Sequence, residues 1–430
     1  MRQEHLLETL LNDEHIRQLL DSANDAYWTD PLIGRREFDE SDLTMLCRLF
    51  LLFANNGLLG KDENSQRHLE EAYKFFRNYP IEREDAKDIF ESVIGYNFAD
   101  KGLLYYFYMA SLSLKLDKTI SARLLLKAYN VKFDSSEEDW GKRTLTSVLK
   151  SLVLLIRKSN GFLDIQLALE IIEQLKSEQK DFEDNYIGSI NLSRQRQVAM
   201  SLLGIYHVSK ALTETALYLK AGYNHNQRRI TSTIRQHIDI ALSLQDKNSR
   251  ITDFILLIGA NLQLLIKNSI WTDTNFQDKI KQLCQFKANS GVLELLPSQR
   301  RALQGNMLDV AANSVVLQMP TSAGKTLMAE FNILVTKSLR SDSRIVYVVP
   351  SRALMNQVFY DLREDLSPLG IVVEKTSAAV EVDPAENDFL ISDTIDVLVT
   401  TPEKLDLLIR RQHPSVDDIS LFIVDEAHTI

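Results

Sequence analysis

Cysteine is nearly missing: Cys47 and Cys284 are the two thiols in 430 residues. They lie far apart and without ligand-like spacing, which leaves no basis for a disulfide framework or a zinc site. Cys47 sits in "LTMLCRLFLLF", where a buried core thiol is expected. Long apolar runs are also lacking, since none approaches the ~20 residues that a membrane helix needs. The opening "MRQEHLLETLLNDEH" is amphipathic and charged, unlike a secretory signal. A reducing cytoplasm and no membrane are therefore expected. Excess basic charge is absent too, because 49 Lys and Arg face 59 Asp and Glu.

A net charge of −10 argues against a broad basic face of the kind that marks many nucleic-acid binders. Residues 291–430 carry 12 basic and 20 acidic side chains, a balance of −8, which leaves −2 for the rest. Any nucleic-acid contact in that acidic stretch must be local. The apolar and charged fractions, 45% and 25%, are those of an ordinary globular protein. The length suits roughly two to four domains.

Up to about residue 288 the apolar spacing is helical. "RHLEEAYKFFRNYP", "KTISARLLLKAYN", "RTLTSVLKSLVLLIRKSN", "DIQLALEIIEQLKSEQ" and "RITDFILLIGANLQLLIKNS" repeat Leu, Ile or Phe every three or four positions. Breaks fall at Pro80, Gly102, Asn130 and Gly161. The pattern predicts an irregular all-α region over residues 1–288, a dozen or so helices packed as antiparallel pairs, without a fixed repeat. From about residue 290 short β-branched runs appear at 314–319, 344–350, 395–402 and 421–428, separated by helices beginning at Lys325, Ala353 and Glu403. Such alternation predicts an α/β domain over 289–430 with a mostly parallel sheet. In these sheets ligands bind beyond the carboxyl ends of the strands.

Polar residues cluster at those ends. "MPTSAGKT" links the first run to a helix, as a phosphate-cradling loop requires: inward backbone N–H groups and a helix N-terminus. Thr321, Ser322, Ala323 and Gly324 form the loop. Gly324 permits close backbone approach, Lys325 would reach the β- and γ-phosphates, and the Thr326 hydroxyl would ligate Mg²⁺. Met319 stands where such loops usually hold a small residue, at a strand end where negative φ tolerates a Cβ. "VDEAH" closes the last apolar run. There Asp425 would hold Mg²⁺ through its water shell, and Glu426 would orient and deprotonate an attacking water.

Taken in order, these two motifs resemble the first motor domain of superfamily 2 helicases, the DEAD/DEAH-box proteins, and within them the superkiller-type (Ski-like) branch. The resemblance covers about the last 140 residues. It implies a RecA-like P-loop domain that uses ATP and Mg²⁺, and it accommodates Ser322 in the loop. "LLPSQRRAL" is similar to the motif that reads adenine, which gives Gln299 the base edge. "VPSRALMNQ" resembles motif Ia, with Ser351 and Arg352 beside nucleic-acid phosphates. "TTPEKLD" resembles motif Ib, with Thr401, Pro402 and Glu403 opening a helix whose amides take a phosphate. His428 would couple the nucleotide site to a second RecA-like domain, which together with motif III is expected beyond Ile430. Without that domain's arginine fingers, ATP should bind but turn over poorly.

A long helical preface before such a motor also resembles helicases of bacterial antiphage defence, such as the Hachiman type, which work with a nuclease partner. The implied activity is an ATP-dependent helicase or translocase on DNA or RNA, at a single strand or a duplex junction. The rival possibility is a nucleotide-sensing helical scaffold that never turns over. Elsewhere, "LLYYFYMA" (Tyr105, Tyr106, Phe107, Tyr108) points its aromatics all around a helix, so burial is expected rather than base stacking. Arg228, Arg229 and Arg235 suit a solvated helix start. His225 and His237 lack the partners of a metal site. Trp28, Trp140 and Trp271 are expected to pack in cores.

Overall fold

The computed structural model describes residues 14, 16–18, 40–60, 63–79, 81, 84–129, 131, 139–246, 249–274, 277–309, 314–320, 323–376, 395–413 and 416–429. Trp28, Pro80, Asn130, Thr321 and Ser322 lie outside the described residues. The chain divides into two compact units, Met1–Lys267 and Asn268–Ile430.

Among its described residues the first unit has helices as its only regular elements. Its helices are α1 (Glu40–Leu59), α2 (Glu63–Arg77), α3 (Glu84–Ile94), α4 (Leu103–Lys115), α5 (Thr119–Lys127), α6 (Trp140–Arg157), α7 (Phe162–Gly188), α8 (Leu192–Ala221), α9 (Gln227–Ser243) and α10 (Arg250–Asn268). Neighbours in sequence pack together, notably α1 with α2, α6 with α7, and α8 with α9. The aromatic stretch forms α4, where Tyr105, Phe107 and Tyr108 are buried. Tyr108 meets Phe76 and Phe90, and the Tyr105 hydroxyl donates to the Phe76 carbonyl at 2.8 Å. These rings are core, and none is free to stack a base. Trp140 stacks on Phe182 and donates its indole N–H to the Tyr206 hydroxyl at 3.0 Å.

Arg228, Arg229 and Arg235 are exposed on α9, whose first turn is capped by the Asn226 side chain accepting from the Arg229 N–H. His237 does have a partner: its Nδ1 lies 3.0 Å from Nδ1 of His207 on α8. Two helices, α1 and α10, are apolar and long enough to cross a bilayer by length and composition, contrary to the expectation from run length. Both have 56% of that stretch buried inside the protein, the behaviour of core helices, and charges such as Arg48 and Asp253 interrupt the runs.

The second unit contains α11 (Asp278–Asn289), α12 (Pro297–Gln304), α13 (Lys325–Leu339), β1 (Arg344–Val348), α14 (Arg352–Leu366), β2 (Val373–Lys375), β3 (Val397–Thr400), α15 (Pro402–Arg410) and β4 (Ile419–Val424). Four parallel strands are ordered β2-β3-β1-β4. β1 and β3 are central, and every residue of both except Arg344 is buried. Burial on both faces is what their unbroken Val, Ile and Leu content requires. Val348 is level with Thr400 on one side and Val424 on the other, so three strand ends share one edge. Cys47 and Cys284 are both buried, and burial pushes each thiol up to about 12.

Two expectations need correction. Residues 314–319 do not form a strand: Val315 and Val316 are 50% and 93% exposed, with no ladder partner. A β-branched run becomes a strand only where a neighbour satisfies its N–H and C=O groups. The described sheet does not extend past β4, where Phe422 and Val424 stay about half exposed. Conversely, β2 carries too short an apolar run to be read from sequence, and pairing with β3 makes it a strand.

Candidate nucleotide and nucleic-acid site

Gly324 ends the loop and caps α13 with φ 73, a left-handed conformation that suits glycine. An added Cβ there would lie 2.2 Å from Gln299 Nε2. The Ala323 N–H donates to the Pro320 carbonyl at 3.2 Å. Met319 is buried and takes no positive φ. Lys325 is the first residue of α13, and Thr326, half-buried, is the second.

At the end of β4 the Asp425 N–H still donates to the Val348 carbonyl at 2.9 Å, which fixes its backbone to β1. Glu426 then turns the chain with φ 49. Across a sequence separation of 101 residues, Lys325 Nζ meets Glu426 Oε1 at 2.8 Å. That hydrogen bond, with the lysine charge, holds the Glu426 carboxyl below the usual range. His428 is largely exposed, with Nδ1 3.4 Å from Glu426 Oε2. Asp425 Oδ1 accepts from the Glu426 N–H at 2.9 Å, and Oδ2 accepts from the Tyr347 hydroxyl at 3.2 Å.

Gln299, buried on α12, is committed at both ends of its amide. Its Oε1 accepts from the Leu296 N–H at 2.8 Å, and its Nε2 donates to the Gly324 carbonyl at 3.1 Å. It is therefore tied to the phosphate loop itself.

A second group lies at the ends of β1 and β3. Ser351 caps α14, its hydroxyl accepting from the Leu354 N–H at 3.3 Å, and Arg352 is exposed beside it. Thr401 is buried where β3 ends, and Pro402 opens α15. The Glu403 carboxyl is held low by its own backbone N–H first, then by the Thr401 hydroxyl and the Arg352 charge. Neighbouring strands thus bring these five residues to one edge.

Among the described residues no group of three or more His, Cys, Asp and Glu could hold a metal alone. What stands at the loop is a carboxylate and a hydroxyl, Asp425 and Thr326. Hard oxygen donors in that small number fit Mg²⁺, which is typically bound by one or two protein ligands together with substrate phosphates. The residue that sequence patterns missed is Tyr347. Its signal was a phenol inside an otherwise aliphatic strand.

The DEAD/DEAH box helicase family model matches residues 297–430, the span that holds both groups. Residues 297–430 are thus similar to a DEAD/DEAH box helicase domain. Similar proteins include the ATP-dependent DNA helicase Hel308 of Pyrococcus abyssi, 30% identical over 158 residues, 37% of this chain and 20% of the relative. Hachiman protein HamB of Bacillus cereus is 31% identical over 139 residues, 32% of this chain and 12% of its own length. Hel308 of Thermococcus kodakarensis is 33% identical over 140 residues, 33% and 12%. The chain thus spans between 12% and 20% of the lengths of these three relatives.

Proposed function

We propose that this chain belongs to an ATP-dependent helicase or translocase that draws its energy from ATP at the edge where α13 begins and β4 ends. One observation carries this: the Lys325 ammonium and the Glu426 carboxylate, on different elements, converge at 2.8 Å beside Asp425. Lysine, carboxylates and a glycine-ended loop at a helix start are the parts that phosphoryl transfer from a nucleotide requires.

Lys325 and Glu426 neutralise one another across their 2.8 Å contact. A triphosphate seated on the amides of Thr321, Ser322, Ala323 and Gly324 offers Lys325 a stronger partner, and the lysine turns to it. Glu426 is then released, its basicity rises, and its carboxylate takes the proton of a water attacking the γ-phosphorus as the bond to ADP breaks. Thr326 and Asp425 would hold Mg²⁺, which supplies neutralisation of the developing phosphate charge. Gln299 reads the adenine edge by exchanging its bond to Gly324 for one to the base.

Ser351, Arg352, Thr401, Pro402 and Glu403 grip the phosphates of one strand of DNA or RNA without reading its sequence. His428, exposed next to Glu426, relays the state of the site to a second RecA-like domain. Residues 1–288 serve as a helical partner-binding or regulatory region, and 289–430 as the first motor domain. The likeness to ATP-dependent DNA helicases and to a Hachiman protein supports work on nucleic acid; a cytoplasmic place and a defence role beside a nuclease subunit belong to the same proposal. ATP hydrolysis by the parent protein, measured with and without single-stranded DNA or RNA, tests this. Nucleic-acid-stimulated turnover lost in Lys325→Ala and Glu426→Gln is the expected result. Nucleotide binding without any turnover would favour the sensing scaffold instead.

A further inference from the structure

We infer that Tyr347 is a positioning residue for Asp425, fixing the orientation of the carboxylate that would hold magnesium. The inference rests on the proposed nucleotide site and adds to it a residue that no motif contains. Tyr347 lies on β1 opposite Ile423 of β4. Side chains two apart on a strand share a face, so Tyr347, Ile423 and Asp425 point the same way. A tyrosine is long enough to reach the diagonal neighbour, and its hydroxyl meets Asp425 Oδ2 at 3.2 Å.

The phenol is fixed before the carboxylate is. Tyr347 is 2% exposed, in a central strand paired on both sides. Its hydroxyl carries the donor proton, and the carboxylate oxygen Oδ2 can only accept it. The other oxygen, Oδ1, accepts from the Glu426 N–H at 2.9 Å. One bond to each oxygen fixes both the position and the rotation of the carboxylate. Each oxygen retains lone pairs for a metal-bound water. Partners that orient an acidic ligand in this way usually matter to metal binding about as much as 10- to 100-fold.

Tyr347→Phe removes the hydroxyl and leaves the packed ring. The test follows a fluorescent ATP analogue binding to this chain over a magnesium titration, with thermal melting as the control. Wild type, Tyr347→Phe, Tyr347→Leu and Asp425→Asn are compared. The expected result for Tyr347→Phe is a rise of about tenfold in the magnesium concentration for half-saturation, with magnesium-free nucleotide affinity and melting midpoint unchanged. Tyr347→Leu should show the same magnesium shift together with a lower midpoint from lost packing. An unchanged magnesium half-saturation in Tyr347→Phe overturns the inference while leaving the nucleotide site intact. A wild-type chain whose nucleotide binding ignores both magnesium and Asp425→Asn overturns the site and this inference together.

Discussion

Gln299 Nε2 donates to the carbonyl of Gly324 at 3.1 Å, so α12 and the loop that opens α13 are physically joined. The joint leaves no room at Gly324. A methyl there would sit 2.2 Å from the same amide nitrogen, on a backbone with φ 73. Gly324→Ala is expected to cost about 1–3 kcal/mol of stability and to abolish nucleotide binding. Chemical denaturation and a fluorescent-nucleotide titration on the same sample check both halves.

On the proposed function, the Lys325–Glu426 pair would compete with a bound triphosphate for the lysine. Glu426→Gln removes the charge that holds the lysine, so nucleotide should bind roughly 1.5- to 5-fold more tightly, the range of a solvent-facing ion pair, while hydrolysis is lost. Acid should act in the same direction. The Glu426 carboxyl is depressed by Lys325, so the pair is intact above the ordinary carboxylate pKa and dissolves as pH falls through the depressed value. Affinity measured against pH for wild type and Glu426→Gln should converge at the acid end.

His207 and His237 make the helical unit sensitive to mild acid. Burial, then the Lys210 charge, depress both imidazoles, and for His207 the neighbouring ring adds to this, while Glu214 opposes it at His237. Their folded pKa values lie below the unfolded one, so the unfolded chain binds more protons as pH drops through about 6.5. Stability should therefore fall over that window and level off below the depressed values. His237→Gln should flatten the profile of melting midpoint against pH.

A buried charge pair locks α6 to α7. Arg157 donates to Asp164 at 2.6 Å and 3.0 Å and to the Tyr129 carbonyl at 3.0 Å, with the carboxylate fully buried. Asp164→Ala strands the guanidinium and should cost about 3–5 kcal/mol. Removing the exposed partner of Lys176, by Glu173→Ala, should cost less than about 1 kcal/mol. Urea unfolding of the two variants gives the comparison.

Helical spacing and strand–helix alternation made the architecture legible because burial of one face, or of two, imposes the 3.6 and continuous patterns directly. The loop ending at Gly324 and the acidic pair stood out in the sequence because the proposed chemistry needs fixed residues at fixed neighbours. Pairing was not. Residues 314–319 have strand composition, yet no ladder, while β2 has three residues and a full partner. Both outcomes depend on what lies alongside, which a local pattern does not carry. Tyr347, Gln299's bond to Gly324 and the His207–His237 contact escaped for the same reason: each joins residues at least 25 positions apart.

Calorimetric titration of magnesium ATP into this chain and into Lys325→Ala is the most direct test that α13 and β4 build one nucleotide site. Saturable one-to-one binding in the wild type, lost in the variant while its melting midpoint holds, is the predicted result. Equal binding by the two proteins, or none by either at millimolar nucleotide, would contradict it.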